Sequence, residues 1–325
     1  MLRAHLLFGF ASIAAGAFAQ LPGLVISGNP EAGTGATWTY QATVSGTNYD
    51  LSGILRKPPG AGPFPAVVIN HGTGGNANGY TRSVANEMVA WNYVGIGTNL
   101  THAGGVPCGA PGDCVTEEYG SSAANILRAM KCRDILASLG YVDTMCIASF
   151  GHSRGAWLTT GLVAAHPDKF SVAGHTAGGV NDAPQSTAPS AAEAASITCP
   201  YIIQHGDADN TVPLSWDERL DSVLTANGVD HQFIVFPGYT HAGIAQDVTM
   251  FANAQAWFAL HGCPISTALP IAPAPANGHV LSREWFDASG RRVPEPTPGA
   301  GAGIFLLRER MQDGSVVLRR IAGFP

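Results

Sequence analysis

Five short apolar runs punctuate the middle of the chain: residues 66–70, 93–97, 146–150, 201–205 and 231–236. Each reads as a strand, the last rich in β-forming side chains over Gln232-Phe233-Ile234-Val235-Phe236. Around them, apolar residues at helical spacing cover 81–91, 121–138, 155–166, 214–227 and 244–261. Short buried strands alternating with helices imply a mostly parallel sheet covered on both faces. The expected fold class is therefore α/β, a doubly wound and mostly parallel sheet. Upstream, residues 37–44 and 50–56 read as an antiparallel hairpin leading into it.

The pattern changes after Cys263. Residues 265–277 are rich in Pro and Ala and read as an extended linker. Beyond them, 304–308 and 315–319 flank Asp313-Gly314, a hairpin-turn signal. This predicts a small β module with too few residues to bury much core alone. At the other end, Arg3 and His5 precede an apolar run over 6–18, and Ala17-Phe18-Ala19 offers a signal-peptidase site. The expected division is a signal peptide at 1–19, a main α/β domain at 20–263, a linker at 264–279 and a small β domain at 280–325. The mature chain is expected to be secreted or at the cell surface. No later apolar stretch reaches membrane-span length, so no stable membrane insertion is expected.

Export changes the reading of the cysteines. Six lie beyond residue 19, and an even count in an exported chain favours disulfides. The expected pairs are Cys108–Cys114, Cys132–Cys146 and Cys199–Cys263. A zinc site is not expected, because there is no Cys-x-x-Cys pair and no His cluster beside the cysteines. Charge narrows the partners: residues 20–263 carry 9 basic against 18 acidic side chains. Such a body does not suit nucleic acid, which needs a basic face.

The central motif is Gly151-His152-Ser153-Arg154-Gly155, directly after one predicted strand and directly before a predicted helix. A serine on a tight strand-to-helix turn is exposed as a nucleophile, and flanking glycines admit the cramped backbone. The turn would also place the Arg154 N–H at a helix N-terminus, where it can stabilise an oxyanion. The serine needs a base. Of 11 histidines, His241 fits best: it follows the last strand, on the sheet edge where such loops converge. His166 and His231 lie at the wrong ends of their elements, His152 is expected to point away, and His205 reads as a buried hydrogen-bonded residue. The acid belongs in Gly206-Asp207-Ala208-Asp209, with Asp209 preferred and Asp207 the alternative. The second oxyanion donor is expected in Asn70-His71-Gly72-Thr73-Gly74-Gly75, Thr73 first and Gly74 second. A phosphate-binding loop is excluded there by the missing Lys-Ser/Thr ending.

These residues resemble the α/β-hydrolase superfamily, and most closely its dienelactone hydrolase-like branch with the related acyl and polyester esterases. The resemblance runs over about residues 45–262, through His71-Gly72, the elbow at 151–155, Gly206-x-x-Asp209-x-x-Val212-Pro213 and His241. It implies Asp209 as the acid. Dienelactone hydrolases proper use cysteine where this chain has Ser153, so the implied activity is that of a carboxylic ester hydrolase. The C-terminal stretch Trp285-Phe286-Asp287-Ala288-Ser289-Gly290, with Gly303 to Arg308 and Arg319-Arg320, resembles the sorting domain of type IX secretion. That implies outer-membrane secretion machinery as a partner.

The expected reaction is two-step acyl transfer from an ester substrate, with neither metal nor organic cofactor. Gly72, Gly74, His102 and Trp157 are the substrate-contact candidates, with 99–114 as a substrate lid. Trp91 and Trp216 are further pocket candidates. Two rival readings are a non-catalytic surface adhesion module and a peptidase of the same fold.

Overall fold

A computed structural model describes residues 20–105, 119–184, 186–263, 280–287, 292–295, 301–311 and 316–324. The expected signal peptide at 1–19, the bulk of the expected lid, the expected Cys108–Cys114 pair and the expected linker at 264–279 lie outside the described residues. The chain divides into two units, residues 1–263 and 264–325.

In the first unit, β1 (Val25–Ser27), β2 (Ala36–Val44) and β3 (Thr47–Arg56) form an antiparallel flank. Then β4 (Phe64–Asn70), β5 (Val94–Thr98), β6 (Val142–His152), β7 (Val172–Thr176), β8 (Tyr201–Gly206) and β9 (His231–Phe236) run parallel to one another. The order across this sheet is β1-β2-β3-β5-β4-β6-β7-β8-β9. The connecting helices are α1 (Arg82–Ala90), α2 (Ala123–Ser138), α3 (Arg154–Ala165), α4 (Ala191–Ala194), α5 (Leu214–Ala226), α6 (His241–Ile244) and α7 (Val248–His261). This is the expected doubly wound α/β sheet.

Strand alternation explains why the apolar runs are continuous. Along β4, Ala66 and Val68 pack with α2, α3 and α5 residues such as Ile135, Leu158 and Leu220, all buried. Their neighbours Val67 and Ile69 face the other way, into a cluster with Val84 and Met88 of α1 and Phe251 and Phe258 of α7. Each valine, isoleucine, leucine, methionine or phenylalanine so buried contributes about 1.5–3 kcal/mol, which fixes the strand register against a one-residue slip. β7 is the strand the hydropathy pattern misses. Gly174 and His175 interrupt its five residues, yet all five are buried.

The same alternation corrects the disulfides. Ile147 joins the α2 side of the sheet, so Cys146 shares the parity of Ala148 and Phe150, which face α7. Cys146 accordingly pairs with Cys263 at the end of α7, Cα–Cα 4.5 Å. Cys132 and Cys199 lie buried in the opposite cluster as free thiols, so neither Cys132–Cys146 nor Cys199–Cys263 forms. The bridge closes a sequence separation of 117 residues, worth roughly 4–5 kcal/mol in the chain-entropy picture. Non-reducing proteolysis followed by mass spectrometry should yield a peptide joining Cys146 to Cys263; a peptide linking Cys132 or Cys199 to either would overturn this pairing.

In the second unit, β10 (Val280–Asp287), β11 (Arg292–Val293), β12 (Gly301–Met311) and β13 (Val316–Phe324) form an antiparallel sheet in the order β11-β10-β12-β13. β12 and β13 pair as the hairpin signal predicts, Arg310 opposite Val316.

Candidate active site

β6 ends at His152 and α3 begins at Arg154, so Ser153 alone makes the turn. Its φ of 59° and ψ of −126° lie in a region that side chains with a Cβ rarely adopt. The neighbours explain how it is held. The Ser153 N–H donates to the Thr176 carbonyl at 3.1 Å, and the Ser153 carbonyl accepts from Ala156 at 2.8 Å. Gly155 is required by space: a Cβ there would run into the Asn70 carbonyl on β4. The strain therefore sits in a frame fixed by three adjacent strands.

Ser153 Oγ lies 2.9 Å from His241 Nε2, and His241 Nδ1 lies 2.7 Å from Asp209 Oδ2. His241 opens α6 after β9, and Thr240 caps that helix by accepting from the Gly243 N–H. A carboxylate only accepts, so the proton is on Nδ1 and the Nε2 lone pair faces the serine hydroxyl. Asp209 has a solvent-inaccessible side chain. Burial works to raise its pKa, but N–H donors of Val212 and Thr211, at 2.9 and 2.8 Å on Oδ1, together with His241, hold it below the usual carboxylate range. Asp207, the alternative acid, is exposed and accepts from the Gly238 N–H at 2.6 Å. It is a turn residue.

The loop after β4 closes the other side. Gly72 packs against Ser153, with a Cβ there falling 2.9 Å from the serine Cβ. Gly74 donates its N–H to the His102 carbonyl at 3.1 Å, and Gly75 donates to Gly72. Gly74 is thus engaged, which favours Thr73 of the two expected donors. Across the serine, Arg154 is the first residue of α3, and its N–H has no carbonyl one turn back to bond. Its guanidinium points elsewhere, 4.1 Å over the Tyr119 ring.

His102 does not face a substrate. It is buried, its Nε2 donates to the His71 carbonyl at 2.9 Å, and burial lowers its pKa to about 4. His71 beneath it is neutral as well, pushed down to about 3 by burial, with Leu100 donating to its Nε2 at 3.0 Å. Asn125 of α2 accepts from the Thr101 N–H at 2.9 Å and donates to the Gly120 carbonyl at 3.1 Å. The described part of the proposed lid is therefore a buttress bonded to the 72–77 loop, Gly104 donating to the Gly75 carbonyl at 3.0 Å. Trp157, one turn beyond Ser153, packs its ring on Trp216 at 5.5 Å, both partly exposed. Trp91 is half-buried and packs against Phe251 and Phe258.

His152 was expected to turn away from the site, and it does not. Its ring packs 4.7 Å from that of His241 while Nδ1 bonds the Thr176 hydroxyl at 2.8 Å. Burial first, then the neighbouring His241, lowers its pKa to about 3, so it packs there as a neutral ring. The sequence offers one signal for this: a residue beside the nucleophile on a strand end must face either the core or the site.

The sequence matches the family model of the dienelactone hydrolase family over residues 51–259. The chain belongs to the dienelactone hydrolase family. Among curated proteins it is 24% identical over 232 residues to the "Putative carboxymethylenebutenolidase" of Synechocystis sp., covering 67% of this chain and 91% of that one. Among solved structures, a cold-adapted esterase from an Arctic intertidal metagenomic library superposes with a TM-score of 0.55 at 18% identity, covering 70% of this chain and 94% of the esterase. Porphyromonas gingivalis dipeptidyl peptidase 4 gives a TM-score of 0.56 at 13% identity, over 70% of this chain. This chain spans about a third of that peptidase, 36% of its length. This chain thus shares its fold with that esterase and with part of that peptidase.

Proposed function

We propose that the protein is an exported carboxylic ester hydrolase working through Ser153, His241 and Asp209. The observation that carries this reading is the unbroken line of hydrogen bonds from Ser153 Oγ through His241 to Asp209 Oδ2, at 2.9 and 2.7 Å. In the proposed reaction His241 Nε2 takes the serine proton as Oγ adds to the ester carbonyl, and Asp209 stabilises the imidazolium. The oxyanion is received by the N–H groups of Thr73 and Arg154. Collapse expels the alcohol, which takes the proton from His241. Water, activated by the same base, then releases the acid from the acyl-enzyme. Residues 280–325 are proposed as the sorting element that brings the enzyme to the outer-membrane secretion machinery, a reading supported by the Trp285 to Gly290 pattern and an antiparallel sheet of its own.

The test is reaction of the mature chain with a fluorophosphonate, followed by peptide mapping. The expected result is one covalent adduct, on the peptide containing Ser153, formed alongside turnover of p-nitrophenyl acetate. Folded protein that neither labels nor turns over the ester would favour the adhesion reading.

A further inference from the structure

Behind Asp209 lies a second, fully buried chain of acids and imidazoles that the acyl-transfer scheme does not use. His205, near the end of β8, places Nδ1 2.6 Å from Asp217 Oδ2 of α5. Its Nε2 lies 3.1 Å from the Val212 carbonyl and 3.3 Å from Asp209 Oδ2. Carboxylates and carbonyls only accept, so both ring nitrogens must carry hydrogen. Burial works to raise the pKa of Asp217, but His175 and His205 beside it hold it well below the usual carboxylate range, so it stands as a carboxylate with no proton to give. It also accepts from His175 Nε2 at 2.7 Å and from the Gly178 N–H at 3.1 Å. His175 needs no second proton, because its Nδ1 faces the Tyr201 hydroxyl at 2.8 Å, a group able to donate.

We propose that His205 is a buried imidazolium and a positioning residue, clamped by Asp217 and holding Asp209 toward His241. The groups around it are Asp217 from α5, Asp209 from the following loop, His175 from β7, His152 from the end of β6 and His241 from α6. Signs alternate along the line: Asp217 negative, His205 positive, Asp209 negative, His241 neutral until it takes the serine proton. With Oδ1 fixed by Thr211 and Val212 and Oδ2 between the two histidines, the Asp209 carboxylate cannot rotate. Burial opposes the charge on His205, but the hydrogen bond and charge of Asp217 outweigh it and raise its pKa above the ordinary value. An unpaired charge at such depth would not persist; here two carboxylates flank it.

The role rests on the Ser153–His241–Asp209 reading, and the experiment separates the two. Nitrogen-15 spectra of histidine-labelled wild type, assigned with His205→Gln, should show both His205 ring nitrogens protonated at neutral pH. The second arm compares wild type and His205→Gln in fluorophosphonate labelling rate and p-nitrophenyl acetate kinetics across pH. Removing the cation beside Asp209 favours the protonated form of the general base, so the acid limb should move up by roughly one pH unit. The value of kcat should fall on the order of 100-fold through loosened geometry, with KM little changed, because His205 touches no substrate. A neutral His205 ring in wild type overturns the proposal whether or not the protein hydrolyses esters. So does a folded His205→Gln variant with wild-type kcat and an unmoved acid limb. Wild type that neither labels nor turns over ester defeats the hydrolase reading and, with it, the positioning role, leaving the nitrogen-15 result to judge the imidazolium alone.

Discussion

Ser153→Ala should lower kcat for p-nitrophenyl acetate by about six orders of magnitude, to the level set by substrate binding and oxyanion donors alone. The size of the effect follows from the elbow. Ser153 Oγ is the hydroxyl bonded to His241 Nε2, at 2.9 Å. Alanine keeps the Cβ and therefore tolerates the positive φ no better and no worse than serine. The variant should fold with a melting temperature close to wild type, which separates lost chemistry from lost structure. Steady-state turnover within roughly tenfold of wild type, less than 1.4 kcal/mol of barrier, would place the nucleophile elsewhere.

The second large effect is at the acid. Asp209→Asn should cost on the order of ten-thousandfold in kcat, whereas Asp207→Asn should remain near wild type. An asparagine at 209 can turn its amide N–H toward His241 and stabilise the tautomer whose Nε2 carries the proton, which cannot accept from serine. At 207 the side chain is exposed and its role is to accept from the Gly238 N–H, which the asparagine oxygen can do equally. Kinetics of the two variants side by side decide the matter, and the reverse order would move the acid to Asp207.

Why the main features were legible in sequence, and others not, is a matter of range. The central strands declared themselves because burial on both faces leaves runs such as Ala66-Val67-Val68-Ile69 without a polar position. The elbow was legible because a strand, a cramped turn and a helix must be contiguous. Contacts between distant elements left no such trace. Nothing in the spacing of Asp217 from His205 and His175 says that α5 will carry a carboxylate between two strands. Likewise His102 looked like a loop residue facing substrate, because a histidine in a Gly-rich segment has no sequence mark of being folded under the neighbouring loop. The cysteine pairing failed for a subtler reason. It required knowing which face of the sheet each helix covers, and chain order alone does not give that.

The Cys146–Cys263 bridge has a mechanical consequence. Cys263 is the last residue of the hydrolase unit, and everything beyond it is tethered through that point. Tension applied to the chain beyond Cys263 does not peel α7 from the sheet turn by turn. It is delivered through sulfur to β6, the interior strand bonded to β4 and β7 on either side. There the load falls on many backbone hydrogen bonds in shear at once. The protein can be pulled by that end while the strand that presents Ser153 keeps its place.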